Sequence, residues 1–178
     1  PDASILAEIP ELSKKESATI VDKNDLGIIA ESFRVLRTNL QFAGILNKGK
    51  AGKSIIVTSS IKGEGKTMVS VNLAMTLAHA GNRVLLVGGD IRNPKLPKFF
   101  TESKSESTQG LVEYLIYDDS TLDDYIVPSN ISENLSILHC GTVPPNPAEL
   151  LLSNRLGTML EEAKSKFDYV IIDTAPTL

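Results

Sequence analysis

The sequence runs to 178 residues, with 18 basic and 22 acidic side chains, a formal net charge of −4 at pH 7 and 42% hydrophobic residues. That length favours one domain with a real core, and the mildly acidic balance argues against a nucleic-acid binder, which normally shows a basic excess or stripe. No apolar run approaches the roughly 18–20 residues of a membrane span, nothing at the N-terminus is laid out like a signal peptide, and a lone cysteine, Cys140, excludes an internal disulfide and fits a reducing compartment.

Residues 1–25 are polar and aperiodic apart from Ile5–Pro10 and read as an N-terminal arm, leaving 26–178 as the domain proper. From about Leu26 to Phe42, the residues Ile29, Phe33, Leu36 and Leu40 fall on one face of a predicted helix. A turn-rich connector, 47–52, leads into Ser54–Thr58, a short β-branched run expected to be a strand buried on both faces. A second helix is expected from about Lys66 to Ala80, with Val69, Leu73 and Leu77 in register and Gly81-Asn82 as its stop. Arg83–Val87 reads as another buried strand, Gly110–Ile116 as a helix, and Leu135–His139 and Tyr169–Ile172 as further strands. Between the last two lies a helical stretch, 148–167, that divides naturally into one or two helices. Alternating strands and helices with continuously apolar strands imply an α/β fold, an open and mostly parallel sheet with helices on both faces. Because a buried strand falls just before Leu178, the domain is expected to be cut short on its C-terminal side.

Three stretches carry chemistry. The sharpest is Ser60-Ile61-Lys62-Gly63-Glu64-Gly65-Lys66-Thr67, between a strand and a helix. Glycines there let the backbone wrap an anion, the amides of Lys62, Gly63, Glu64, Gly65, Lys66, Thr67 and Met68 are candidates to face it, and the next helix offers its positive end. Lys66 would reach the β- and γ-phosphates and the Thr67 hydroxyl would ligate magnesium, making this a P-loop, although Ser60 stands where the usual pattern has glycine. The alternative is an ordinary glycine-containing turn. The second stretch, Val84–Arg92, puts Asp90 just past a strand end, where parallel sheets bind ligands; Asp90 would reach the metal or accept a proton, or alternatively cap the next turn. The third, Tyr169–Asp173, is an apolar strand ending in a carboxylate, the Walker B arrangement that holds magnesium. Lys66, Asp90 and Asp173 are thus the candidate catalytic residues, and Thr67, Asp90 and Asp173 the candidate metal ligands.

Taken together, these elements resemble the bacterial tyrosine kinases that act with polysaccharide co-polymerases, within the MinD/ParA-like P-loop group. Two more stretches carry the resemblance: Glu31-Ser32-Phe33-Arg34-Val35-Leu36-Arg37 is similar to the family's Glu-x-x-Arg-x-x-Arg helix, and Pro144-Pro145-Asn146-Pro147-Ala148-Glu149-Leu150-Leu151 to its Pro-Pro-Asn-Pro-x-Glu-Leu-Leu segment. The resemblance implies a P-loop NTPase fold, ATP/ADP and Mg2+ as ligands, and tyrosine hydroxyls of proteins as acceptors. It further implies regulation of capsule or exopolysaccharide export, a membrane-spanning co-polymerase segment in the same or a partner chain, and a place at the cytoplasmic face of the bacterial inner membrane. A ring-shaped homo-oligomer is implied as well. Glu31, Arg34 and Arg37 lie three apart, a charged stripe fit to pair across a subunit interface or, alternatively, to face solvent.

The chain departs from the family where the first acid of Asp-x-Asp-x-Arg is Gly88, leaving Asp90 and Arg92. That departure bears on catalytic strength rather than on nucleotide binding. Pro94-Lys95-Leu96 occupies a stretch where some members carry a tyrosine, and no tyrosine cluster follows Asp173. Tyr114, Tyr117 and Tyr125 are the remaining candidates for modification but read better as packing residues on or near a helix, and His79 and His139 read as helix-end and core residues without ligand spacing. Two other functions fit the same fold. One is a non-enzymatic nucleotide-binding assembly module, catalytically weak because of Gly88, that gates polysaccharide export. The other is a MinD/ParA-type ATPase switch, disfavoured because the position of its second loop lysine is Ile61.

Overall fold

The computed structural model describes residues 3–12, 20–46, 49, 51–100 and 109–177. The connector expected at 47–52 and the arm expected at 1–25 therefore lie partly outside the described residues.

Helix α1, Ile28–Phe42, buries Ala30, Phe33 and Leu40, with Ile29 and Leu36 packed beside them. Strand β1, Lys53–Val57, leads through the glycine-rich turn into α2, Lys66–His79, which is buried almost all round because it lies between α1 and the sheet. Strand β2, Val84–Gly88, is followed by α3, Leu111–Ile116, then by β3, Ile126–Pro128, and β4, Leu135–Leu138. The helical stretch near the end is two helices, α4 at Pro147–Leu151 and α5 at Asn154–Lys166, before β5 at Tyr169–Asp173.

The sheet order is β1-β5-β2-β4-β3, parallel except for β3, which pairs antiparallel with β4. Side-chain alternation divides the strands between two cores. Val84, Leu86, Tyr169 and Ile171 pack with α2 on one face, whereas Leu85, Val87 and Val170 pack with α3 and α5 on the other. Such continuous apolar strands are what burial on both faces demands.

β1 corrects the expectation of burial on both faces. Its residues alternate, and Ile56 is 65% exposed. The cause is position: β1 is the edge strand, and Ile55 and Val57 alone turn toward a helical layer. β3, absent from the sequence reading, is a three-residue ribbon ending in Pro128, as suits an edge.

A buried carboxylate ties α3 to the loop after β4. Glu113 accepts hydrogen bonds from Gly110 N at 2.6 Å, Thr142 N at 3.1 Å and Thr142 Oγ1 at 2.6 Å. Glu113→Ala strands three donors in a region that is largely dry, so a loss of about 2–3 kcal/mol is expected, read as a lower urea midpoint with unchanged slope.

Candidate nucleotide-binding site

Register assembles the site. In the parallel pairing, Val57 at the end of β1 stands opposite Asp173, and Asp173 stands opposite Gly88 at the end of β2. The turns leaving these strands therefore share one edge of the sheet. In the turn after β1, Gly63 and Gly65 have φ of 99° and 90°, a left-handed backbone that favours glycine. The Glu64 carboxylate accepts from Ile61 N at 3.0 Å, which stiffens the loop from within. No side chain caps α2, so its first-turn N–H groups remain for an anion.

Behind the loop sit three buried charged groups. Lys66 Nζ lies 3.6 Å from Asp90 Oδ2, with the two side chains 4% and 7% exposed. Asp173 is 1% exposed, and it accepts from Ser70 Oγ at 3.3 Å and from the Thr67 hydroxyl. Burial raises the Asp173 pKa, while the Thr67 hydrogen bond, the Lys66 charge and the Ser70 hydrogen bond oppose the shift. Asp90 Oδ1 also accepts from Asn93 N at 3.1 Å, so it caps its own turn while facing Lys66.

Oxygen donors of Thr67, Asp90 and Asp173 on one buried cation suit a hard divalent ion that keeps part of its water shell. Two carboxylates against Lys66 leave a net negative charge, which such an ion would offset. A cavity of about 590 Å³ opens beside the loop, lined by Gly63, Glu64, Gly65, Lys66, Thr67 and Met68 among others. Lys62 is exposed on the outer side of the loop.

Glu31, Arg34 and Arg37 line no part of this cavity. They lie on α1, where Arg34 pairs with Glu31 at 3.2 Å and reaches back to the Asp25 carbonyl. Tyr114 and Tyr125 are buried edge to face with centroids 6.3 Å apart, and Arg155 lies 4.2 Å over the Tyr114 ring, whereas Tyr117 is exposed. His79 and His139 both have pKa values lowered by burial. Ser70 is the site residue the sequence reading missed. It stands one turn beyond Lys66 on α2, and that spacing was its only signal.

The profile of the AAA domain family matches residues 52–178. Tyrosine-protein kinase YwqD of Bacillus subtilis is 38% identical over 149 residues, covering 84% of this chain and 60% of that protein. Tyrosine-protein kinase CpsD of Streptococcus pneumoniae is 42% identical over 146 residues, covering 82% and 60%. The chain thus spans about three-fifths of the length of these curated relatives. The kinase domain of the Escherichia coli tyrosine kinase ETK superposes with a TM-score of 0.82 at 31% identity, covering 98% of this chain and 69% of that one. This chain belongs to the bacterial tyrosine kinase family. A MinD from Pyrococcus horikoshii, solved with Mg-ADP, is more distant, with a TM-score of 0.58 at 29% identity over 70% of this chain and 49% of that one.

Within this kinase-family site, Gly88 has close neighbours. A Cβ there would come 3.1 Å from both Cys140 N and the Leu96 side chain, so an aspartate would require both to give way. Cys140, buried beside Glu113 and Asp90, has its thiol pushed up to about 11, chiefly by burial.

Burial of Asp173 has a testable consequence. A carboxyl whose folded pKa is raised destabilises the fold in its ionised form, and the cost appears as pH rises through the raised value. Asp173→Asn should therefore raise the melting temperature of the protein without nucleotide or metal at about pH 7, with the gain shrinking toward about pH 4 in paired thermal melts. A gain that is equal at both values, or absent, would contradict the assignment.

Proposed function

We propose that this chain binds Mg-ATP and transfers its γ-phosphoryl group to the hydroxyl of a protein tyrosine, as part of a larger protein that controls capsule or exopolysaccharide export. The observation that carries this reading is the convergence of Lys66, Asp90 and Asp173 behind a phosphate-binding loop, in a chain whose relatives are named tyrosine kinases. The loop amides and Lys66 would draw charge off the phosphoryl oxygens as the bond to ADP breaks. Asp90 would accept the tyrosine proton as the new P–O bond forms, taking over duty that Gly88 does not supply. Thr67 and Asp173 would hold Mg2+, which would supply positive charge to offset that of the phosphates. Ser70 keeps Asp173 oriented from the buried face of α2.

The outer face of α1 supports assembly into a ring. Leu26 just before α1, and Ile28 and Phe42 at its two ends, are 89%, 77% and 85% exposed, and exposed apolar residues on the element that carries the Glu31–Arg34 pair suit a subunit interface. On the same reading the assembly sits at the cytoplasmic face of the inner membrane beside a co-polymerase segment. Among the described residues no helix is long and apolar enough to cross a membrane. An ATPase switch of the MinD type is the weaker reading, since the MinD likeness is looser than the kinase likeness.

The full-length protein incubated with Mg-ATP should carry phosphotyrosine by mass spectrometry, and Lys66→Met should lower it by about a hundredfold or more. Asp90→Asn should lower transfer by roughly 10²–10⁴-fold while leaving ADP affinity in place. Undiminished transfer by Asp90→Asn would remove it from the mechanism, and absence of phosphotyrosine in a parent that binds ADP would favour the switch or assembly readings. Arg34→Glu combined with Arg37→Glu should convert the oligomer to smaller species in sedimentation velocity; an unchanged distribution would take α1 out of the interface.

A further inference from the structure

The cavity beside the phosphate loop has a wall beyond the loop itself. Opposite Gly63–Val69 it is lined by Lys95, Lys98 and Phe99, from the segment that follows Asp90, and by Ile9–Leu12 of the N-terminal arm. Both parts are held in place. The arm is fixed where Asn39 Nδ2 donates to Leu6 O at 2.6 Å and Val21 N donates to Asn72 Oδ1 at 2.7 Å, and Ile9 packs against the Phe33 cluster. The segment after Asp90 makes a tight turn at Leu96–Lys98 and is anchored by the buried Leu96 and Phe100.

Its chemistry is that of a polypeptide entrance. Lys66 and Thr67 line the same cavity, so a phosphate on the loop would face into it. Met68 and Phe99 supply half-buried apolar surface of a size to meet an aromatic ring. Lys95 and Lys98 supply two positive charges; among the described residues neither lies within ion-pair distance of a carboxylate. Among the described residues that line the cavity the acids are Glu11 and Glu64, and Glu64 is engaged within the loop.

We propose that this cavity receives the acceptor polypeptide, and that Lys95 and Lys98 select tyrosines flanked by acidic residues. The proposal rests on the phosphotransfer reading above and adds its substrate class. An extended peptide advances roughly 3.3 Å per residue, so carboxylates within about two to four residues of the tyrosine come within reach of a lysine side chain while the ring lies over Met68 and Phe99. Charges at such a rim set selectivity through complementarity.

The test uses the full-length protein and two synthetic peptides of equal length, one with glutamates and one with glutamines around a single tyrosine. The parent should prefer the glutamate peptide by about tenfold or more in kcat/KM at low salt, and Lys95→Glu with Lys98→Glu should erase or reverse that ratio. Lys95→Gln with Lys98→Gln, a milder pair, should reduce it part-way, which keeps the test informative if the reversed variant folds poorly. A parent without preference, or a ratio untouched by either pair, overturns the proposal. So does a parallel loss of ADP affinity, which would put the lysines in the nucleotide site. Transfer to neither peptide by a parent that itself carries phosphotyrosine overturns this inference alone, whereas a parent with no phosphotyrosine overturns the phosphotransfer reading, and this inference with it.

Discussion

The in-register hydrogen bonding of β1, β5 and β2 is the constraint on which the rest of the molecule depends. Val57, Asp173 and Gly88 stand level across three parallel strands, so every turn that leaves them begins at the same edge. A slip of one residue in β5 would turn Asp173 to the opposite face, away from Thr67 and Ser70. The two cores act on that register from both sides, because the apolar residues of β2 and β5 alternate between one and the other and no shift leaves both filled. Packing therefore fixes the chemistry.

That edge holds its charges at a cost. Lys66, Asp90 and Asp173 are all nearly removed from water, and the Lys66–Asp90 pair at 3.6 Å is looser than a direct hydrogen bond. Burial outweighs every favourable contact at Asp173, whose pKa is raised despite two hydroxyl donors and a nearby lysine. Residues chosen for stability alone would not be arranged so. On the Mg-ATP reading proposed above, the site would be complete only with a polyanion and a divalent cation, and the cost of its buried charges would be the counterpart of its affinity.

Much of this was legible in the sequence. Leu85 and Leu86 alternate between two cores, so β2 had to be apolar throughout, and the phosphate loop declares itself through glycines whose backbone is left-handed. What was not legible depends on partners far along the chain. Ile56 looks as buried as Ile55 in sequence, and only the edge position of β1 exposes it. The three residues of β3 carry no period, since their pairing with β4 is tertiary. The arm looked aperiodic because Asn39 and Asn72, on helices, hold its backbone rather than its side chains. Asn72 is wholly buried, and a polar residue on the core face of a helix was the available hint.

Gly88 brings these threads together. An acid there would have made three carboxylates around one buried lysine, and it would have had to displace Leu96 and the Cys140 backbone, each 3.1 Å from the position of its Cβ. The chain instead closes apolar packing over that point and leaves Asp90 as the one acid of its turn. Asp90 is fully engaged without substrate, by Lys66 on one oxygen and Asn93 N on the other. Arrival of a phosphate would draw the Lys66 charge toward it and free the oxygen that faces the loop. On the phosphotransfer reading proposed above, Lys66 would then unmask the carboxylate as it met the nucleotide, making a base available once there is a phosphoryl group to transfer.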